Sequence, residues 1–188
     1  MIEIKKDNKK LHLRSSHLGH RISLDPDMFS ETGFNNDFYR EYLIEKHHFD
    51  ADFSAYNTLK GSIGNIKVDF IAHPCKRVAP LVEEEEIRIY SVPDIAAMKL
   101  NAISGSGTGS KDFVDLCFLL EMYSIEQLLE FYETKYTGRN ILHVVKSLNY
   151  FDDVDLSDWP VIIKKRNLTW EKVKSVIDTL CKNFIKKL

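Results

Sequence analysis

The chain has 188 residues, and its 26 lysines and arginines against 28 aspartates and glutamates give a formal charge of −2 at pH 7. With 44% hydrophobic and 29% charged residues it has the composition of an ordinary globular protein with one proper core, not of a disordered chain. No apolar run is long enough to span a membrane, whereas nucleic-acid binding stays open because a neutral total can contain a local basic patch.

The N-terminus and the cysteines both indicate a cytoplasmic protein. The chain is charged from Glu3 onward, which is not the pattern of a signal peptide. The cysteines, Cys75, Cys117 and Cys181, are widely scattered and lack the spacing of a metal site, so we expect reduced thiols. Cys117 lies in an apolar run and is expected to be a small core residue.

The first half of the chain is predicted to form a small sheet with one helix. Residues 1–20 are polar and basic, and a short strand and a helical turn around 11–18 are expected there. Period-2 and helical spacing then predict a strand at 21–29, a helix at 36–48, a hairpin at 54–73 with its turn near Gly61 to Gly64, and a strand at 87–90. In the second hairpin strand, 65–73, apolar and polar residues alternate cleanly. The run of acids at 83–86 is expected to be a solvated approach to the last strand.

The second half is predicted to be helical. Ser91-Val-Pro-Asp is a good helix start, and Ser110 is expected to cap the helix after the glycine-rich break at 104–110. The predicted helices span 91–103, 110–122, 125–136, 139–149 and 169–188, with an irregular segment at 151–167. The last helix carries one apolar stripe, formed by Trp170, Val173, Ile177, Leu180 and Phe184. We therefore divide the chain into an α/β unit, 1–90, and a helical region, 91–188.

Asp25 and Asp27, in the strand predicted at 21–29, are the strongest chemical signal. Alternate residues of a strand share a face, about 6.5–7 Å apart, so both carboxylates can reach one cation. Two converging carboxylates are what Mg²⁺ uses when it holds a nucleoside triphosphate, with water and phosphate oxygens as the other ligands. Asp-Pro-Asp is also typical of a turn, and on the triplet alone the turn is the favoured interpretation; the rest of the sequence is what favours the metal site.

Asp69 and Lys99 are candidates because of their positions in predicted elements. Asp69 lies on the polar face of its strand, where a solvated pair with Lys67 is the alternative. Lys99 falls in the middle of the predicted apolar sector of its helix, formed by Ile95, Met98, Ala102 and Ile103. A buried ammonium is costly unless an anion meets it, so we favour a functional role over snorkelling to water.

Asp112 and Asp115 stand three residues apart on the next predicted helix and border apolar stripes. A structural alternative remains for both, because Asp112 suits a first helical turn and Lys111 can pair with Asp115 one turn away. The loop at 104–110 lacks the P-loop pattern and follows no strand, so we interpret it as a flexible connector. The seven histidines show no zinc-ligand spacing.

In order along the chain, five blocks resemble the AbiEii/AbiGii-type nucleotidyltransferases, the toxin half of a bacterial abortive-infection toxin–antitoxin system. They are Leu-Gly-His-Arg-Ile-Ser-Leu-Asp-Pro-Asp-Met-Phe at 18–29, Lys-Val-Asp-Phe-Ile at 67–71, Val-Pro-Asp-Ile-Ala-Ala-Met-Lys-Leu-Asn-Ala-Ile at 92–103, Lys-Asp-Phe-Val-Asp-Leu at 111–116 and, more weakly, Trp-Glu-Lys-Val-Lys at 170–174. None is diagnostic alone, but the ordered set covers most of the chain and is fairly specific.

The resemblance implies an α+β, polymerase-beta-like nucleotidyltransferase fold, in which a small mixed sheet with helices on one face precedes a helical C-terminal half. It implies Mg²⁺ or Mn²⁺ held by Asp25, Asp27 and Asp69, with Lys99 on the phosphates and Asp112 as an acid near the transfer site. Further nucleotide-binding residues would be Arg21, Ser23, Lys111 and Asp115. The substrate would be an NTP, the acceptor an RNA such as a tRNA 3′ end, and the protein partner a cognate antitoxin.

Two departures from the family pattern leave two functional hypotheses. The glycine-rich turn expected before Leu-Gly-His-Arg reads Lys-Leu-His at 10–12, and Ser-Gly-Thr-Gly-Ser stands where the family tends to carry an arginine before Lys-Asp. Both changes remove phosphate-binding groups. The chain is then an active, N-terminally shortened enzyme, or a catalytically decayed scaffold that binds nucleotide or protein. The basic cluster at 164–166, with Lys172 and Lys174, is expected to bind RNA or an acidic partner, with a solvated face as the alternative.

Overall fold

A computed structural model of the protein describes residues 19–23, 25–84, 87–165 and 167–187. The strand and the helical turn expected before residue 19 therefore lie outside the described residues. Within them, no helix is both long and apolar enough to cross a membrane. The three cysteines are free thiols, and Cys117 is buried as expected.

The first part of the described chain forms a four-stranded mixed sheet with one helix. The strands are β1 (Asp27–Ser30), β2 (Phe49–Ala55), β3 (Thr58–Ile63) and β4 (Ile66–Ala72), and helix α1 (Asn36–His47) connects β1 to β2. The spatial order is β1-β4-β3-β2, with β1 parallel to β4 and the other pairs antiparallel. A separate hairpin, β5 (Val82–Glu84) and β6 (Ile87–Ile89), follows.

Alternation along the strands gives the sheet one apolar face and one polar face. Leu59, Val68 and Phe70 share a side of β3 and β4 and are buried with Leu43 of α1 and Phe49. Gly61 is required beneath this core, because a Cβ there would meet the Asp50 carbonyl oxygen at 2.1 Å and the Phe49 ring at 2.5 Å. The opposite face carries Asp69, with Asp27 and Lys60 as its register partners.

Five helices form the second part of the chain and the larger core. They are α2 (Val92–Gly105), α3 (Ser110–Leu119), α4 (Ile125–Lys135), α5 (Ile141–Leu148) and α6 (Trp170–Ile185). Helices α2 and α3 lie at the centre, and α4, α5 and α6 pack around them. Val173 and Ile177, from the stripe predicted on the last helix, are fully buried. The mixed sheet followed by helices confirms the α+β class, while the division at residue 90 stays a prediction.

Several element boundaries differ from the sequence predictions. The strand predicted at 21–29 begins only at Asp27, because Arg21 instead forms an antiparallel bridge with Ile162. Helix α3 ends at Leu119, not Met122, and its N-cap is Gly109. Strand β2 was not predicted, although its sequence Phe-Asp-Ala-Asp-Phe-Ser-Ala alternates apolar and polar residues; only Phe49 of the strand is buried.

The buried sector of α2 also differs from the predicted one. Only Ile103 of the four predicted positions is buried, and the stripe is completed by Ala96, Ala97 and Leu100. Lys99 therefore lies at the edge of the buried stripe, one helical turn from Ile103, and its side chain is half-buried.

A buried ion pair joins α2 to α4 and to the loop before β5. The Lys135 ammonium lies 2.7 Å from Asp94 Oδ1, and both side chains are fully buried. Asp94 also accepts hydrogen bonds from Ser91 Oγ and from the backbone N–H groups of Val78 and Ala79. Burial opposes ionisation of Asp94, but Lys135 and these donors outweigh it and hold its pKa below the ordinary value.

Removing the cation from this pair should destabilise the fold strongly. Lys135→Met keeps the apolar stem but leaves the Asp94 carboxylate buried without its counter-charge, so we expect a loss of about 3–5 kcal/mol in the free energy of unfolding. Urea denaturation at neutral pH measures it. Lys182→Met, which breaks the exposed pair with Asp178, is the matched control and should cost less than about 1 kcal/mol. Equal losses in the two variants would contradict a structural role for the buried pair.

Candidate active site

Three charged side chains form one row across the polar face of the sheet. Asp27 of β1 is the register partner of Asp69 on parallel β4, and Lys60 of β3 is the partner of Asp69 on the other side. Register partners on neighbouring strands share a face and lie about 5 Å apart. The Lys60 ammonium donates to Asp69 Oδ2. Two carboxylates and one cation thus occupy adjacent positions, with Asp69 in the middle.

Asp25 is exposed and lies in a bend just before β1, so it does not share the regular strand geometry of Asp27. The bend is tied to the sheet by a hydrogen bond from the Asp69 backbone N–H to the Pro26 carbonyl oxygen, 3.2 Å long. In the described part of the chain, no three His, Cys, Asp or Glu side chains are arranged as a metal-binding group. The sheet therefore brings Asp27 and Asp69 together, and the place of Asp25 in the metal set stays a prediction.

The donor set of this row fits a hard divalent cation held together with a nucleotide. Mg²⁺ prefers oxygen ligands, keeps several waters, and is commonly bound by one or two carboxylates plus substrate phosphates. Asp27 and Asp69 supply such a pair, and a protein cage of three or more ligands is not required. Softer metals that favour thiolates or clustered imidazoles find no matching donors in this row.

Lys99 reaches from α2 to the two aspartates of α3. Its ammonium lies 2.7 Å from Asp112 Oδ1 and 2.8 Å from Asp115 Oδ2. Lys99, Asp112 and Asp115, with His20 and Arg21, form one charged cluster. The side chains of Lys99 and Asp112 keep 23% and 25% of their accessible surface, so this end of the cluster remains in contact with solvent. Lys99 thus has the anionic partners that its half-buried position demands.

Asp115 is the buried centre of the cluster. Its Oδ1 accepts hydrogen bonds from His20 Nε2 at 2.7 Å and Arg21 Nε at 2.6 Å, and its Oδ2 accepts one from an Arg21 Nη at 2.9 Å. An ionised carboxylate only accepts, so Nε2 of His20 carries a proton in this contact. The segment before β1 is held further by hydrogen bonds to residues 161–164, which include Ile22 N–H to the Val161 carbonyl oxygen at 2.9 Å.

The charges of the row and of the helical cluster act on one another. Partial desolvation, followed by the neighbouring Asp69 carboxylate, raises the pKa of Asp27, while Lys99 and Lys60 oppose that rise. Burial would raise the pKa of Asp115, but Lys99, Arg21 and His20 hold it well below its usual range. Burial alone would lower the pKa of Lys99, because it disfavours the charged ammonium. The two α3 carboxylates outweigh burial, and the pKa of Lys99 is raised. Asp27 and Lys99 thus belong to one electrostatic neighbourhood.

The other predicted site residues lie around this cluster. Ser23 is half-buried on the segment between Arg21 and the bend. Lys111 pairs with Asp158, so the pairing with Asp115 considered from the sequence is replaced by the Lys99 contact. The Lys67 alternative for Asp69 is replaced by Lys60 in the same way.

Sequence reasoning did not single out Lys60 or His20. The partner of Lys60 is set by the register of its strand with β4, which the sequence does not reveal. The alternation of polar residues in the hairpin indicated only which face of the sheet Lys60 occupies. His20 belongs to the Leu-Gly-His-Arg block, and its complete burial was not visible in a polar stretch of sequence.

A family model described as nucleotidyl transferase AbiEii toxin, type IV TA system, matches residues 15–176 of this chain. A curated relative, Uncharacterized protein aq_aa25 of Aquifex aeolicus (strain VF5), is 31% identical over 145 residues, which covers 72% of this chain and 68% of the relative. No solved structure matches. The range matched by the family model, 15–176, contains every site residue described above.

Neutralising Asp115 should destabilise the protein most at neutral pH. Asp115→Asn leaves Arg21 and Lys99 without their shared carboxylate, at an expected cost of about 3–5 kcal/mol. Because the folded-state pKa of Asp115 is depressed, its contribution is present above the unfolded-state pKa, about 3.9, and is lost as the pH falls below it. The difference in unfolding free energy between wild type and Asp115→Asn should therefore shrink between pH 6 and pH 3.

Urea titrations at each pH measure this difference. Asp178→Asn, which alters an exposed carboxylate on α6, is the control and should show a small difference from wild type throughout. A difference for Asp115→Asn that stays constant across the range would contradict an ionised, ion-paired Asp115.

Proposed function

Because the chain belongs to the AbiEii nucleotidyl transferase toxin family of type IV toxin–antitoxin systems, we propose that it transfers a nucleotide from a nucleoside triphosphate to an RNA, with tRNA 3′ ends among the acceptors. The observation that carries the proposal is the pairing of Asp27 with Asp69 across β1 and β4, with Lys99 close enough to oppose the rise in the pKa of Asp27. Paired carboxylates near a lysine suit the binding of a metal-bound triphosphate.

Asp27 and Asp69 would hold Mg²⁺ or Mn²⁺, and Asp25, in the bend before β1, would complete the set. When bound, the cation neutralises triphosphate charge and lines up the attacking hydroxyl. The residues of the chain provide the frame for this. Parallel pairing fixes the spacing of the two carboxylates, and the Pro26 carbonyl hydrogen bond fixes the backbone that presents Asp25.

Lys99 would bind the phosphates of the nucleotide. Asp115 is deep and fully engaged, whereas Asp112 is half-exposed, so the two α3 carboxylates hold the ammonium on the solvent side of the cluster. An incoming phosphate oxygen then takes the place of one carboxylate partner of Lys99. The ammonium therefore keeps an anionic partner throughout and is never left with an unpaired charge. Asp112, freed in that exchange, would stand beside the transferring group.

The other nucleotide-binding residues divide by exposure. Arg21 and Asp115 are buried and satisfied by each other, so we assign them the task of positioning Lys99 and the segment before β1. Ser23 and Lys111 retain solvent access and remain candidates for direct contact with the nucleotide. A cognate antitoxin is the partner that type IV membership implies.

A second candidate function is a binding module that keeps this scaffold without transferring a nucleotide. One observation favours it: Lys60 and Lys99, the cations beside the carboxylate row, both already pair with carboxylates of the protein. The glycine-rich turn that the family places before this segment is replaced here, which removes backbone groups for the triphosphate. An assay for transfer separates the two functions.

Incubation with Mg²⁺, labelled triphosphates and total bacterial RNA should label the 3′ ends of a defined RNA class. Asp27→Ala should lower the rate about 100-fold or more, because losing a metal ligand removes several kcal/mol of charge stabilisation. Asp25→Ala should abolish the label if Asp25 completes the metal set. Lys99→Ala should weaken it severely, since phosphate charge is left unmet. Gel analysis of labelled RNA gives each rate.

Lys182→Ala, far along α6 in an exposed pair, is the control and should keep the wild-type rate. Circular dichroism verifies that each variant is folded. Wild-type protein that binds a nucleotide but labels no RNA with any of the four triphosphates would reject the transferase and support the binding module.

The basic surface formed by Lys164, Lys165, Lys172 and Lys174 is the proposed RNA contact. The Lys164 backbone N–H donates to the His20 carbonyl oxygen at 3.2 Å, so Lys164 and Lys165 adjoin the approach to β1, while Lys172 and Lys174 lie on α6. RNA affinity should fall steeply as salt rises, with a slope set by the number of phosphates contacted. Replacing Lys172 and Lys174 by glutamine should weaken binding and lower that slope by about one per lost contact. Filter binding between 50 and 300 mM salt tests it, and a flat salt dependence would exclude an electrostatic RNA site.

A further inference from the structure

We propose that Lys60 is a positioning residue: a built-in counter-ion for Asp69 that competes with a divalent cation for the charge of this carboxylate, and thereby lowers the affinity of the carboxylate row for the metal. The inference rests on the proposed function, since it concerns the same site. It adds a residue outside the blocks that carry the family resemblance.

The geometry of the row carries the first step. Lys60, Asp69 and Asp27 are register partners on three consecutive strands, β3, β4 and β1, so Asp69 lies between the ammonium and the second carboxylate. Lys60 donates to Asp69 Oδ2. A cation bridging Asp27 and Asp69 would therefore approach Asp69 from the side opposite Lys60, or take over the oxygen that Lys60 now holds.

Charge carries the second step. A divalent cation on Asp69 and the Lys60 ammonium are like charges sharing one carboxylate, and like charges at short range repel. The Lys60 side chain keeps 46% of its accessible surface and that of Asp69 keeps 25%. A partly exposed ion pair is weak enough to open on metal binding, whereas the fully buried Lys135–Asp94 pair is not. Lys60 can swing into solvent without leaving a buried charge behind.

The consequence is a site that does not bind divalent cations tightly by itself. Lys60 partly neutralises Asp69, so the repulsion between the two carboxylates is reduced in the free protein. A metal that binds therefore relieves less repulsion, and its binding free energy is less favourable. A metal that arrives with a triphosphate brings anionic oxygens that also suit the displaced ammonium. Lys60 thus favours the metal–nucleotide complex over the bare metal.

Titration of the 188-residue chain with Mn²⁺ alone, followed by electron paramagnetic resonance of the free ion, tests the proposal. Lys60→Met should bind Mn²⁺ about threefold to tenfold more tightly than wild type. Lys60→Arg, which keeps the charge, should stay within about twofold of wild type. Lys67→Met is the matched control, because Lys67 lies two residues before Asp69 on the same strand and Asp69 pairs with Lys60. It should also change the affinity less than about twofold.

Asp69→Asn separates this proposal from the proposed function. If wild type binds Mn²⁺ and Asp69→Asn does not, but Lys60→Met binds no more tightly than wild type, the role of Lys60 is wrong and the metal site stands. If Mn²⁺ binds neither wild type nor Lys60→Met, or binds equally well to Asp69→Asn, the metal site of the proposed function fails, and the role of Lys60 fails with it.

A second measurement uses the wild-type protein and does not depend on the folding of any variant. The side-chain ¹³Cε resonance of Lys60, assigned by its disappearance in Lys60→Arg, should move on addition of diamagnetic Mg²⁺ as the ion pair opens. The resonance of Lys67 should move less. A Lys60 resonance that stays unchanged while Mg²⁺ saturates the site would overturn the proposal.

Discussion

The ionised carboxylate of Asp115 is the interaction on which the candidate site depends. It lies 1% exposed on α3, yet it receives the His20 ring, the Arg21 guanidinium and the Lys99 ammonium. Desolvating such a charge costs several kcal/mol, and only this number of well-placed donors offsets the cost. His20 and Arg21 lie just before β1. The carboxylate that pairs with the Lys99 ammonium of α2 therefore also holds in place the segment that leads into β1.

The site therefore combines two kinds of charge pairing with different mobility. The buried contacts of Asp115 and of the Lys135–Asp94 pair hold α2, α3 and α4 in fixed relation, since breaking any one leaves an unpaired charge in the interior. The pairs of Lys60 with Asp69 and of Lys99 with Asp112 are accessible to solvent. Ligands can replace partners in the second group without disturbing the first, which suits a rigid frame that carries an exchangeable binding surface.

Local patterns in the sequence predicted elements well where the local signal was strong. The clean alternation of 65–73 placed Asp69 on the polar face of β4, and Ser91-Val-Pro-Asp placed the start of α2. The need of a half-buried ammonium for an anion led to Lys99, although the buried stripe of its helix lies partly at other positions. The partners themselves were beyond reach, because the Lys60–Asp69 and Arg21–Asp115 contacts follow from strand register and tertiary packing. Strand β2 is different: its alternation of apolar and polar residues, Phe-Asp-Ala-Asp-Phe-Ser-Ala, is readable from the sequence and was overlooked, so this miss has no tertiary cause.

The charge balance of the cluster argues for a metal and a triphosphate arriving together. With Asp25 included, Asp27, Asp69, Asp112 and Asp115 belong to a set of five carboxylates, and Arg21, Lys60 and Lys99 provide three cations. The free site thus carries a modest excess of negative charge. A divalent cation would neutralise that excess, so a triphosphate would then enter a site without net negative charge and with Lys99 to meet its oxygens. Each partner would make the other's binding more favourable, and by linkage the affinity for either would depend on the presence of the other.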